Sequence, residues 1–191
     1  MPARTRFIKQ ALIVFLVALL GFVATRIVND KNTPSYTLSN SIDLSGDGIG
    51  TNSLLIGSRL PAITLENVDG QEVSTQSLLS APLIINVWYS TCEPCRRELP
   101  ALANADTQYR DQVRIVGVNI KDSATVAKKF ASQFGVDFEL LLDKNGQFIS
   151  RLGIATAPVT LAIDPQGVII GQKAGEISAS ELDKLVKELL K

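Results

Sequence analysis

One stretch, Trp88-Tyr89-Ser90-Thr91-Cys92-Glu93-Pro94-Cys95-Arg96-Arg97-Glu98-Leu99-Pro100, constrains this 191-residue chain most tightly. It holds the only two cysteines, spaced Cys-x-x-Cys. The nearly unbroken apolar run Leu83-Ile84-Ile85-Asn86-Val87-Trp88 leads into it, as a central parallel strand should. Leu99, Leu102, Ala103 and Ala105 to Tyr109 then predict a helix from about Pro94 to Arg110. Pro94 suits the first helical turn, where a missing N–H costs little. Pro100 falls inside the helix and should kink it. Cys92 is thereby placed at a helix N-terminus, where backbone N–H groups and the helix dipole favour a thiolate. A thiolate is the species that attacks a disulfide. Cys95, one turn further on, can resolve the mixed disulfide that results.

The rest of the composition closes off other chemistries. The chain has no histidine. That excludes Ser-His-Asp and Cys-His nucleophile pairs, His-ligated zinc and a histidine proton shuttle. A c-type haem needs Cys-x-x-Cys-His, and Arg96 follows Cys95. Two cysteines are too few for an all-thiolate zinc site. A dithiol/disulfide couple remains, with no metal or organic cofactor. The 19 basic and 19 acidic side chains balance, so there is no basic face to suggest nucleic acid.

The charge is unevenly placed. Arg4, Arg6, Lys9 and Arg26 all precede the first acid, Asp30, leaving 15 basic against 19 acidic side chains beyond them. The basic start flanks an unbroken apolar core from Ala11 to Ala24, within a longer stretch from Phe7 to Val28. Lys9 and Arg26 near its ends can carry their charges to an interface. Ala24 has Phe22 two residues before it, a poor fit to a small-x-small cleavage site. Residues 1–28 are therefore expected to be an uncleaved signal-anchor. The positive-inside rule puts the N-terminus in the cytoplasm and the domain outside, or secreted if the segment is cut. Residues 29–53, rich in Asn, Ser, Thr, Asp and Gly, read as a flexible linker. The run Asp43 to Gly48 lacks the spacing and closing Glu of a calcium loop.

The folded domain is expected over 54–191. Leu60–Leu65 alternates like a strand, with a turn at Val68–Gln71 and a return strand at Glu72–Ser74. Val113–Asn119 is a second buried strand. Ser123 caps a helix to about Phe134, and Phe138–Leu142, Gln147–Leu152 and Val159–Ile163 follow as strand, helix and strand. Asp164-Pro165-Gln166-Gly167 is a hairpin turn into Val168–Ala174. Ser178 or Ser180 opens a last helix with an apolar stripe of Leu182, Leu185, Val186, Leu189 and Leu190. This alternation predicts an α/β layered fold with parallel strand pairs.

The pattern Trp88-x-x-x-Cys92-Glu93-Pro94-Cys95-x-x-Glu98-x-Pro100 resembles the thioredoxin superfamily, and within it the membrane-tethered, extracytoplasmic TlpA/ResA/CcmG group. Gly57-x-x-x-Pro61 and the Ala157–Pro158 dipeptide extend the resemblance over about Leu54–Lys191. It implies a thioredoxin-like fold with a central mixed sheet, an N-terminal β-hairpin, and an extra helix-strand unit from Lys121 to Asp143. It implies a thiol–disulfide oxidoreductase with Cys92 and Cys95 as the redox disulfide. Pro158 would be a cis-proline beside the cysteines, with Ala157 offering its backbone to a partner, and Trp88 and Pro94 would complete the partner-binding set. Where thioredoxin has a buried Asp six residues before the first cysteine, this chain has Asn86. Glu98 is thus the candidate acid–base group, able to raise thiol pKa values and relay protons. The group's usual task is reduction of protein disulfides, often in apocytochrome c, with electrons from a CcdA-like membrane thiol transporter. Thr91 and Ala157 depart from the group's usual residues and bear on partner choice. A general oxidase or isomerase of folding proteins is an alternative. A peroxiredoxin-like peroxidase is another, although no Thr or Ser stands three residues before either cysteine.

Overall fold

The computed structural model describes residues 52–191. The expected anchor and nearly all of the expected linker lie outside the described residues. Among the described residues no helix is long and apolar enough to cross a membrane.

Among the described residues seven strands form one mixed sheet. In chain order they are β1 (Thr64–Asn67), β2 (Glu72–Ser74), β3 (Leu83–Trp88), β4 (Arg114–Asn119), β5 (Glu139–Leu142), β6 (Val159–Ile163) and β7 (Ile169–Ala174). Their order across the sheet is β2-β1-β5-β4-β3-β6-β7. The pairs β3/β4 and β4/β5 are parallel, and β3/β6, β6/β7, β1/β5 and β1/β2 are antiparallel. Four α-helices of the described residues pack on the sheet: α1 (Glu93–Tyr109), α2 (Ala124–Ser132), α3 (Gln147–Leu152) and α4 (Ala179–Leu189). The expected hairpin is β1/β2, and α2 with β5 is the expected helix-strand unit.

Burial of β3 on both faces follows from its sequence. Ile84 and Trp88 point into a core built with Leu99, Leu102 and Tyr109 of α1, Ala127 and Ala131 of α2, and Leu182, Val186 and Leu189 of α4. Leu83, Ile85 and Val87 point into a second core with Leu78, Phe148 and Leu152. A strand covered on both sides has no polar face, which is why its run is continuous rather than alternating. The helix ends carry the expected caps. Ser123 accepts from the Val126 N–H, and Ser178 with Glu181 forms a reciprocal capping box. The helix α1 continues through Pro100 to Tyr109.

The first strand lies later than Leu60–Leu65. The Leu60 N–H bonds Gly167 O, the Gly57 N–H bonds Ile169 O, and Arg59 bridges Val168. Residues 57–60 thus pair at the β7 edge. Pro61 has no N–H to continue a ladder, and the chain crosses to the other side of the sheet before β1 begins.

Candidate active site

The end of β3 delivers Tyr89, Ser90 and Thr91 as a short loop, and α1 starts at once. Cys92 is the N-cap, in extended conformation, and its Sγ accepts from the Cys95 N–H at 3.2 Å. Cys92 and Cys95 are joined as a disulfide with Cα atoms 5.2 Å apart. Cys92 is 4 % exposed and Cys95 fully buried. Both are buried, and Cys92 is the nearer of the two to solvent. Pro94 is half-buried beside them.

The Ala157–Pro158 bond is cis, and the Ala157 carbonyl oxygen lies 3.8 Å from Cys92 Sγ. Ala157 is half-buried and Pro158 buried. The loop before β6 therefore stands against the Cys92 sulfur, 65 residues away in sequence.

Trp88 differs from expectation. Its side chain is fully buried, stacked on Phe130 with ring centroids 5.9 Å apart. It supports the cysteine loop from beneath and offers no surface to a partner. The cause is β3 itself, which the helices cover on the Trp88 face.

Glu98 is 1 % exposed, one turn beyond Cys95 on α1. Its Oε1 accepts from Asn86 Nδ2 at 2.7 Å and its Oε2 from the Ile177 N–H at 2.9 Å. Asn86 Nδ2 also donates to Thr160 Oγ1 at 3.1 Å. Burial pushes the Glu98 carboxyl up to about 7; the two hydrogen bonds oppose the rise and the nearby Glu176 charge adds to it. A carboxyl poised near neutrality can take or give a proton at working pH. Arg96 and Arg97, expected as a solvated face, are exposed; Arg97 pairs with Glu176 at 2.5 Å and both approach Glu93.

A further network lies under Ser90. Asp122 Oδ2 accepts from the Ser90 N–H at 2.7 Å and Asp122 Oδ1 from Ser90 Oγ at 2.7 Å. Asn119 Nδ2 donates to Asp122 at 2.8 Å, while Asn119 Oδ1 accepts from the Lys121 and Asp122 N–H groups. Burial alone would raise the Asp122 carboxyl, but the bonds from Ser90 and Asn119 hold it below its usual range. Asp122 and Thr160 were not evident as site residues, since nothing local in the sequence links them to the cysteines. The one signal was Asn119-x-x-Asp122, a turn-forming spacing at the end of β4. Among the described residues no cluster of three or more Cys, Asp and Glu could hold a metal ion.

Solved structures share this fold. A putative thiol:disulfide interchange protein DsbE from Chlorobium tepidum superposes with a TM-score of 0.66 at 25% identity, covering 73% of this chain and all of that one. The structure of MTB dsbF in its mixed oxidized and reduced forms gives a TM-score of 0.62 at 26% identity over 67% of this chain and 95% of that one. In sequence, the thiol-disulfide oxidoreductase ResA of Bacillus subtilis is 28% identical over 178 residues, 93% of this chain and 89% of ResA. The thioredoxin-like protein YneN of the same organism is 28% identical over 131 residues, 67% and 76% of the two chains. Fold and site together define a thioredoxin-like thiol–disulfide oxidoreductase. Residues 56–172 match the AhpC/TSA family model, and the chain belongs to that family.

Proposed function

We propose that the protein reduces disulfides in partner proteins on the outer face of the membrane. The observation that carries this reading is the Cys92–Cys95 disulfide at the start of α1, with Cys92 nearer the surface than the fully buried Cys95 and Glu98 buried one turn behind. In the reduced protein, Cys92 thiolate attacks one sulfur of the partner disulfide, and the partner's other sulfur leaves as a thiolate. Cys95, its proton passed to the Glu98 carboxylate, attacks Cys92 Sγ, and the second partner sulfur leaves as a thiolate that takes that proton back from Glu98. Two electrons pass to the partner, Cys92–Cys95 closes, and solvent protonates the first partner thiolate. Ala157 lends its backbone to the partner segment and Pro94 borders it. A carboxylate behind the pair disfavours a stable thiolate, which suits a reductant better than an oxidant.

The N-terminal apolar stretch supports a single-pass anchor with the domain outside the cytoplasm. The resemblance to the TlpA/ResA/CcmG group supports apocytochrome c among the substrates and a membrane thiol transporter as electron donor. An exported dithiol needs such a donor, because its surroundings are oxidising.

Trapping tests the reading. Cys95→Ser leaves Cys92 able to attack but unable to be released, so partners accumulate as mixed disulfides. Identification of apocytochrome c among them is the expected result. Trapped proteins that depend on oxidative folding, with no reduced donor linked to the membrane, overturn the reductive direction.

A further inference from the structure

Asn52 is the first of the described residues, and its side chain makes four hydrogen bonds to one loop. Its Oδ1 accepts from the Ala155 N–H at 2.8 Å and the Thr156 N–H at 3.0 Å. Its Nδ2 donates to Thr156 O and to Thr156 Oγ1, both at 3.2 Å. Asn52 is held in turn by its neighbours. The Ser53 N–H bonds Gly153 O at 3.1 Å. Gln172 of β7 donates to Ser53 O at 3.0 Å and accepts from the Leu55 N–H at 2.8 Å.

The loop that Asn52 grips belongs to neither helix nor strand. Ala155 and Thr156 are exposed and lie between the end of α3 and the start of β6. One peptide further on is Ala157, whose carbonyl oxygen stands 3.8 Å from Cys92 Sγ. Any shift of Thr156 therefore reaches the backbone beside Cys92 Sγ.

We propose that Asn52 is a positioning residue for partner docking: its side-chain amide holds residues 155–156 so that the Ala157 backbone is presented beside Cys92. A carboxamide has the donor and acceptor of a peptide unit. Asn52 thus fills the place of a neighbouring strand along residues 155–156, and the backbone left to a partner begins at Ala157. Asp supplies only the accepting half. The proposal rests on the reading that the protein exchanges disulfides with partner proteins.

The test uses the full-length protein as wild type, Asn52→Ala and Asn52→Asp. Reduced protein is mixed with a disulfide-linked peptide over a range of concentrations, and oxidised protein separately with dithiothreitol, which needs no docking surface. Asn52→Ala is expected to raise the half-saturating peptide concentration about fivefold, the size of one net hydrogen bond. Its maximal rate and its reaction with dithiothreitol stay at wild-type values. Asn52→Asp, which keeps the acceptor for both N–H groups, falls between. Amide hydrogen exchange gives a readout free of activity: Ala155 and Thr156 speed up in Asn52→Ala, and Cys95 does not. An unchanged half-saturation, unchanged exchange at residues 155–156, or an equal loss with peptide and dithiothreitol each overturns the role of Asn52 alone. Wild-type protein that reacts with dithiothreitol but with no peptide overturns the underlying function.

Discussion

Asn86 and Glu98 meet across the contact between β3 and α1, amide Nδ2 to carboxyl Oε1 at 2.7 Å. Both Nδ2 protons are committed, the second to Thr160, and the buried Asn86 Oδ1 has no partner. This arrangement serves the ionised carboxylate. The proton, when it comes, belongs on Oε1, because Oε2 faces the Ile177 backbone N–H, which cannot turn away. A half-turn of the Asn86 amide then offers Oδ1 to the new O–H, and the Thr160 hydroxyl can reverse to donate. Asn86 can thus accommodate either charge state.

Stability should follow that proton. The Glu98 carboxyl is raised in the folded chain from 4.5 to about 7. Its contribution is fully present below about pH 4.5 and is lost as pH rises through about 7. The difference amounts to about 3 kcal/mol. Glu98→Gln removes the titration, and its amide can face Asn86 Oδ1 after the same half-turn. Urea unfolding across this range is expected to show the wild type losing stability relative to Glu98→Gln as pH rises. Parallel stability curves would contradict the buried, titrating Glu98.

The same substitution should change the thiol chemistry. A carboxylate one turn from Cys95 disfavours a second negative charge nearby. Glu98→Gln is expected to lower the thiol pKa of the reduced pair by about one unit. It should also erase the limb of the pH–rate profile that bends near 7. Thiolate absorbance during titration and stopped-flow exchange with a model disulfide measure the two effects. Wild-type behaviour in both would remove Glu98 from the proton path.

The elements that were legible in the sequence are those set by local signals. The β3 run, the Cys92 cap and the Ser123 and Ser178 caps all depend on residues within a few positions of each other. The partners of Glu98 were not legible: Thr160 lies 74 residues from Asn86, and Ile177 lies 79 from Glu98. Asn52 sat in a polar, aperiodic stretch that looks like tether, and its bonds span more than 100 residues. Trp88 was grouped with the binding surface on the motif alone, whereas the helices over β3 bury it. Proximity in the motif and proximity to solvent are different properties, and only the folded sheet separates them.

Asp122 should control the loop that carries Cys92. It accepts both the backbone N–H and the hydroxyl of Ser90, so Asp122→Ala leaves two donors without partners in a half-buried place. A cost of about 1–3 kcal/mol is expected, with slower attack by Cys92 as the loop loosens. Asp122→Asn keeps one accepting oxygen and should cost less. Because the Asp122 carboxyl is held below its usual range, its contribution is present above the unfolded value of 3.8 and is lost as pH falls through the folded one. Urea midpoints and single-turnover rates for the two variants check the order. An Asp122→Ala protein as stable and as fast as wild type would dissociate this network from the site.

Gly117 of β4 should tolerate no side chain. It pairs with Asn86 in the parallel β3/β4 register, on the face covered by Trp88. A Cβ there would stand 2.9 Å from Trp88 Nε1, 3.0 Å from Leu140 Cδ2 and 3.2 Å from Phe138 Cε2. The indole is fully buried and stacked on Phe130, so it has little room to retreat. Gly117→Ala is therefore an overpacking change, expected to cost about 1–3 kcal/mol despite alanine's lower backbone entropy cost. Because Trp88 lies directly before the cysteine loop, the strain should also reach the site. Its tryptophan fluorescence should change, with a lower urea midpoint and slower disulfide exchange. Trp88 is the chain's only tryptophan, so the fluorescence reports this contact alone. A Gly117→Ala protein with wild-type fluorescence and midpoint would mean that the strand shifts to make space, and that the close packing of Trp88 on β4 does not hold the loop.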